Sequence, residues 1–163
     1  MEIITIDRKH FPQIAKIYQE GIDTGNATFE TTVPSWEIWN KSKLSYCRLI
    51  VVENEIVIGW AALSKVSERS VYEGVAELSI YIAENHRGKG IGKILMQKLV
   101  KESETKGIWT LQSAMFPENL ATLSLHKTFG FRVIGYREKI GKLAGVWRDS
   151  ILMERRSKIT GIN

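Results

Sequence analysis

Cysteine, histidine and long apolar runs are all scarce in this chain of 163 residues, and each scarcity removes a class of function. The single cysteine, Cys47, excludes an internal disulfide and leaves no thiolate cluster for zinc. The three histidines, His10, His86 and His126, are scattered without ligand spacing, so no metal site is expected. His10 and His86 read as surface residues. No stretch reaches the length of a membrane span. Met1-Glu2-Ile3-Ile4 lacks the basic segment and apolar run of a signal peptide, which makes the cytoplasm the expected setting. Repeats, low-complexity tracts and linkers are also missing, in keeping with one domain.

What is present is an ordinary globular composition, 44% apolar and 25% charged, with enough length for a real core. The net charge of +5 raises the question of nucleic acid. Basic residues are dispersed, however, except at 87–93 and in Arg155-Arg156-Ser157-Lys158. No aromatic-rich RNA-binding signature or helix-turn-helix pattern accompanies them, so no nucleic-acid partner is expected. The tail reads as a solvated terminus, and the cluster at 87–93 as the seat of an anionic cofactor.

Hydrophobic periodicity places the elements. Residues 2–6 alternate weakly as a first strand, and Phe11, Ile14, Ala15, Tyr18 and Ile22 predict a helix over 10–23. Residues 24–33 read as a loop, and Pro34-Ser35 opens a short helix to about Leu44. The runs 48–53 and 56–63 are joined by Asn54-Glu55 in a hairpin, and a strand at 73–83 follows. A helix from Ile91 ends where Gly107 supplies a stop. Then come a strand at 108–115, a helix at 119–129, a strand at 131–138, and residues 146–155 closing the sheet. This order predicts a mixed α/β sheet with helices on both faces.

Between the strand at 73–83 and the helix from Ile91 lies His86-Arg-Gly-Lys-Gly-Ile-Gly-Lys93. Arg87, Gly90 and Gly92 form Arg-x-x-Gly-x-Gly. Glycines at a strand-to-helix turn bring backbone N–H groups close to a ligand, and a helix N-terminus favours negative charge. With Arg87, Lys89 and Lys93 beside those dipoles, the turn reads as a pyrophosphate seat. A Walker A loop is excluded because Ile94, not Ser or Thr, follows Lys93. A dinucleotide fingerprint fails at Lys93 and lacks an acidic ribose partner, the region about 20 residues on reading Gly107-Ile108-Trp109.

The remaining pattern resembles the acyl-CoA loop of the GNAT superfamily of N-acetyltransferases. Asn119, Ala121, Ser124, Leu125-His126 and Gly130-Phe131 resemble that superfamily's second cofactor segment. Ala76-Glu-Leu-Ser-Ile-Tyr-Ile82, Thr28-Phe-Glu-Thr31 and Gly145-Val-Trp-Arg-Asp149 are similar to motifs of its phosphinothricin and methionine sulfoximine/sulfone acetyltransferases. Residues 66–70 and Glu30 depart from some members. The resemblance implies a single GNAT domain over 1–156 with a tail at 157–163. Its sheet is expected to be twisted and mostly antiparallel, with about seven strands.

It also implies roles. Acetyl transfer needs a neutral amine, so a base must take a proton. Glu77 matches the family's proposed base; as a strand residue it also reads as a solvated carboxylate alternating with Ser79 and Tyr81. The backbone of Ile80, Tyr81 and Ile82 is implied as oxyanion donor and partner of the pantetheine arm, their side chains being core. Arg87, Gly88, Lys89, Gly90, Ile91, Gly92 and Lys93 are implied to hold the pyrophosphate of acetyl-CoA, and Asn119 to cap a helix and reach the cofactor. His126 stands where relatives carry a proton donor for the leaving thiolate; it equally reads as a cofactor contact or as packing beside Phe129. For the acceptor, Arg69-Ser70-Val71-Tyr72 and Phe29 are expected. Arg69 is either a carboxylate or sulfonyl fork or a solvated loop charge. Trp36, Trp39, Trp60 and Trp109 read as core or interface, and the resemblance implies a homodimer surface at Trp147. Cys47, before a buried strand and without a base, does not read as a nucleophile.

Overall fold

A computed structural model describes all 163 residues. Seven strands make one sheet: β1 (Glu2–Thr5), β2 (Leu49–Glu53), β3 (Ile56–Lys65), β4 (Val75–Ile82), β5 (Thr110–Met115), β6 (Arg132–Leu143) and β7 (Val146–Arg156). Their spatial order is β1-β2-β3-β4-β5-β7-β6, antiparallel throughout except for β4 against β5. Four helices cover the faces: α1 (Phe11–Asp23), α2 (Trp36–Ser42), α3 (Ile91–Thr105) and α4 (Leu120–Thr128).

The β2–β3 hairpin turns at Asn54 and Glu55 with φ of 49° and 66°, the left-handed pair whose twist suits two flanking strands. β3 is buried from Val57 to Leu63, which accounts for its unbroken apolar run. Its side chains divide between two cores. Ile58, Ala61 and Leu63 join Leu95, Met96 and Leu99 of α3, whereas Val57, Trp60 and Ala62 join Ile14 and Ile17 of α1 and Trp39 of α2. A bulge, where Val51 pairs with Gly59 but Val52 with Val57, lets Val57 and Trp60 share a face despite their odd spacing.

Several expectations change in detail. α2 opens at Ser35, whose Oγ accepts the Ile38 N–H at 3.3 Å, but it ends at Ser42, short of Leu44. β6 runs on to Leu143 because register shifts past Val133 and Arg137 absorb its extra residues. β7 does not close the sheet. It inserts between β5 and β6, so β6 is the outer strand. The terminal segment is only partly solvated: Arg156, Lys158 and Ile159 are exposed, but three of its residues are tied to the end of α3. Ser157 is buried with its Oγ donating to Glu104, Arg155 pairs with Glu104 at 2.9 Å, and Thr160 donates to the Glu104 carbonyl. His10 and His86 are half-buried rather than exposed; His10 Nδ1 accepts the Asp7 N–H at 3.0 Å.

Candidate active site

β4 and β5 pair only from Val75 to Glu77, against Thr110 to Gln112. Beyond that point the strands part, and residues 78–82 of β4 and 113–115 of β5 line a cavity of about 1100 Å³. β4 keeps β3 on its other side as far as Ile82, so its inner edge carries backbone N–H and C=O groups with no strand opposite. Such an edge accepts an extended, amide-bearing ligand as a further strand. Glu77 stands at the vertex, exposed to the cavity, with Gln112 Nε2 donating to its Oε2 at 3.4 Å.

At the far end of β4 the chain turns into α3 through Gly88 and Gly90, at φ +73° and +85°. A side chain at either glycine would meet no neighbour, so the left-handed backbone itself requires glycine there. Gly90 is the N-cap of α3 and offers no side-chain cap, which leaves the first N–H groups of a 15-residue helix free to face an anion. Arg87 and Lys93 line the cavity beside this helix end. Gly92 is needed for another reason: a Cβ there would sit 3.2 Å from Leu125, where α3 and α4 approach. A strand with a free inner edge, an anion seat at its end and a carboxylate at its vertex can orient an acyl carrier and deprotonate an amine.

The Acetyltransferase (GNAT) family profile matches residues 12–131. The chain belongs to this family. An L-methionine sulfoximine/L-methionine sulfone acetyltransferase of Pseudomonas aeruginosa is 26% identical to it over 149 residues, 88% of this chain and 87% of that one. A phosphinothricin N-acetyltransferase of Alcaligenes faecalis is 30% identical over 155 residues, 88% of this chain and 76% of that one. A GNAT phosphinothricin acetyltransferase of Sinorhizobium meliloti, solved with AcCoA, superposes with a TM-score of 0.89 at 27% identity, across 99% of this chain and 91% of that one.

Within the GNAT fold, the cofactor-side residues named from the sequence divide by what they present. Ile80, Tyr81 and Ile82 line the cavity. The Tyr81 ring itself turns into the α1 core, stacked on Trp60 at 4.9 Å and edge-on to Tyr18 at 4.8 Å. Burial and the neighbouring Tyr18 push its phenol well above the ordinary value. Ile91 is buried in the α3 core, and Lys89 is exposed without lining the cavity. Asn119 does cap α4, its Oδ1 accepting the Thr122 N–H at 3.2 Å. Its Nδ2 donates to the Asn26 carbonyl at 3.2 Å, so the amide is turned to the loop before α2.

His126 lines the cavity from within α4. Its side chain is buried, edge-on to Phe131 at 4.8 Å, and Nδ1 lies 2.7 Å from the Thr122 carbonyl. A carbonyl only accepts, so Nδ1 carries the proton. Burial holds the imidazole pKa below its ordinary value, and Nε2 has no hydrogen-bond partner within the protein.

On the acceptor side, Phe29 lines the cavity, packed edge-on to Phe116 at 4.8 Å. Arg69, Ser70, Val71 and Tyr72 do not line it. They precede β4 at the end where β4 and β5 are still paired, and the Arg69 guanidinium rests 5.5 Å from the exposed Tyr72 ring. Two residues that do stand there, with one that braces them, were not assigned to the site from the sequence. Tyr18 reaches in from α1, and Lys43 comes from the α2–β2 connection. Arg148 of β7 lies 4.0 Å from the Phe116 ring and donates to the Gly25 carbonyl and Asn26 Oδ1, both at 2.7 Å. The Gly145–Asp149 motif was a signal for Arg148; nothing local distinguishes Lys43 from any other loop lysine.

Proposed function

We propose that this chain transfers the acetyl group of acetyl-CoA directly to the amine of a small amino-acid analogue such as methionine sulfone, methionine sulfoximine or phosphinothricin. The observation that carries the reading is Glu77 at the vertex of the parted strands, where a cofactor paired along β4 would end. The activities of the Pseudomonas and Alcaligenes relatives support the acceptor class. In this reading the pantetheine arm pairs with the inner edge of β4, and the pyrophosphate meets the N-terminus of α3 with Arg87 and Lys93. Glu77 takes a proton from the acceptor ammonium, and the freed lone pair attacks the thioester carbonyl. A backbone N–H of β4 stabilises the oxyanion. When the C–S bond breaks, the remaining excess proton on nitrogen leaves with the sulfur, so His126 is not needed as an acid.

Cys47 supports direct transfer over an acyl-cysteine route. Its thiol is buried, and burial with the nearby Glu102 carboxylate pushes its pKa to about 12. No helix is long and apolar enough to cross a membrane, and a cytoplasmic setting goes with the reading. A homodimer is part of it too. The β6–β7 hairpin leaves Tyr136, Ile140, Val146 and Trp147 exposed, an apolar surface suited to a second copy.

The test is thiol release from acetyl-CoA with methionine sulfone, methionine sulfoximine and phosphinothricin, set against spermidine and a short peptide. Release with the amino-acid analogues is expected. Release with only spermidine or peptide would keep the chemistry and overturn the acceptor. Sedimentation of the purified chain tests the dimer.

A further inference from the structure

Lys43 crosses from the α2–β2 connection to the sheet, where its Nζ donates to Ser64 Oγ and Ser79 Oγ, each at 3.1 Å. Both hydroxyls are tied to the position of Glu77. Ser64 is the cross-strand partner of Glu77, and Ser79 follows it by two residues on the same face of β4. Same-face neighbours on a strand are about 7 Å apart, so the ammonium stands beside the carboxylate rather than behind it.

The charge state of this lysine is unusual for its surroundings. It is half-buried and enters no ion pair with the protein's own carboxylates. Glu77 and Glu30 act on it only through longer-range attraction, while Arg48 opposes its charge. Burial is the strongest influence and draws its pKa below that of an ordinary lysine. An ammonium has three protons to donate, and the two serine hydroxyls engage two of them. A partly desolvated cation with one donor left over at a cavity wall is costly unless an anion meets it.

We propose that Lys43 receives the carboxylate of an amino-acid acceptor while Glu77 receives its amine, which makes Lys43 the residue that selects zwitterionic acceptors. This rests on the amino-acid-analogue reading above. In an α-amino acid the nitrogen and the nearer carboxylate oxygen are about 3 Å apart, short enough for one molecule to engage both groups across the strand face. The same cation repels a polyamine, which brings extra positive charge and no anion. Arg69 was expected to supply this recognition from sequence; Lys43 supplies it from inside the cavity.

The experiment compares methionine sulfone with its α-carboxamide as acceptors for the native chain, Lys43→Met, Lys43→Gln and Lys43→Arg, with acetyl-CoA affinity measured by calorimetry as a control. Native enzyme is expected to favour the acid in kcat/KM. In Lys43→Met that preference should fall about ten- to hundredfold, chiefly through KM, the range for a hydrogen bond to a charged group. Acetyl-CoA affinity should stay unchanged. Comparing the acid-to-amide ratio between variants cancels the different basicity of the two amines. Should Lys43→Met fail to fold, Lys43→Gln removes the charge while keeping a polar amide donor on the side of the two serines. Lys43→Arg restores charge and should regain a preference for the acid. An unchanged ratio in the neutral variants, or no preference in the native chain, overturns the role of Lys43 alone. No acetylation of methionine sulfone by the native chain overturns the acceptor reading, and this proposal with it.

Discussion

The two walls of the cavity are built in opposite ways. The cofactor wall runs along β4 from Glu77 through the glycine turn to Lys93 in the first turn of α3, and it presents mainly backbone. The acceptor wall is assembled from side chains of separate elements: Tyr18 of α1, Phe29 before α2, Lys43 after it, and Phe116 and Glu118 between β5 and α4. Arg148 of β7 braces that assembly from behind. A backbone seat needs glycines and a strand-to-helix turn at fixed spacing, whereas a side-chain seat needs only that distant segments meet. The first kind holds a cofactor shared across a family, and the second can change its acceptor residue by residue.

Glu77 belongs to both walls, so its loss should have the largest effect and separate them most cleanly. Glu77→Gln is expected to lower kcat by about 10²- to 10⁴-fold, the usual contribution of a general base, with acetyl-CoA affinity unchanged. Turnover and calorimetry on the same preparation check this; native-like turnover would remove Glu77 from the role.

Gly90→Val attacks only the cofactor wall. At φ +85° a β-branched residue is strained by about 1–2 kcal/mol or more, and relaxing that strain moves the anion seat. Calorimetry should find acetyl-CoA affinity weakened about tenfold, and intact affinity would sink the loop assignment. Arg148→Ala attacks only the acceptor wall. It leaves the Gly25 carbonyl and Asn26 side chain without their partner and frees the loop that carries Phe29. We expect the acceptor KM to rise about five- to tenfold while acetyl-CoA affinity holds. Equal loss in both would mean that the walls are not independent.

The smallest effect lies at His126, which touches the cavity but is held by α4. Its folded pKa is depressed, so the unfolded chain binds more protons as pH falls below about 6.5. The stabilising contribution is therefore complete above the unfolded value and is lost as pH falls toward the folded one. Denaturant unfolding between pH 5 and 7 should have a shallower pH slope in His126→Gln than in the native chain, by at most about 1.4 kcal/mol per pH unit. An unchanged slope would mean that His126 titrates alike folded and unfolded.

Much of the fold was legible in the sequence because local forces make it. Periodicity marked α1 and α3, Asn54-Glu55 marked the hairpin, and Gly107 marked the end of α3, where it holds φ +84°. The strand order was less legible: the segment 146–155 reads as a last strand, yet only pairing decides that it lies between β5 and β6. His126 reads from sequence as a proton donor, a cofactor contact or a packed ring, and only the structure sets its Nδ1 on the Thr122 carbonyl and its ring against Phe131.

The sequence by itself determined the family, the glycine turn and the carboxylate before it, because each depends on residues close in the chain. The tertiary structure alone decided that β4 and β5 part after Glu77, that residues 69–72 stay outside the cavity, and that Lys43 comes to stand beside the proposed base. Those features arise from strand pairing and from side chains meeting 21 or more positions apart, as between Lys43 and Ser64 or Ser79. No local pattern of residue types encodes such a meeting.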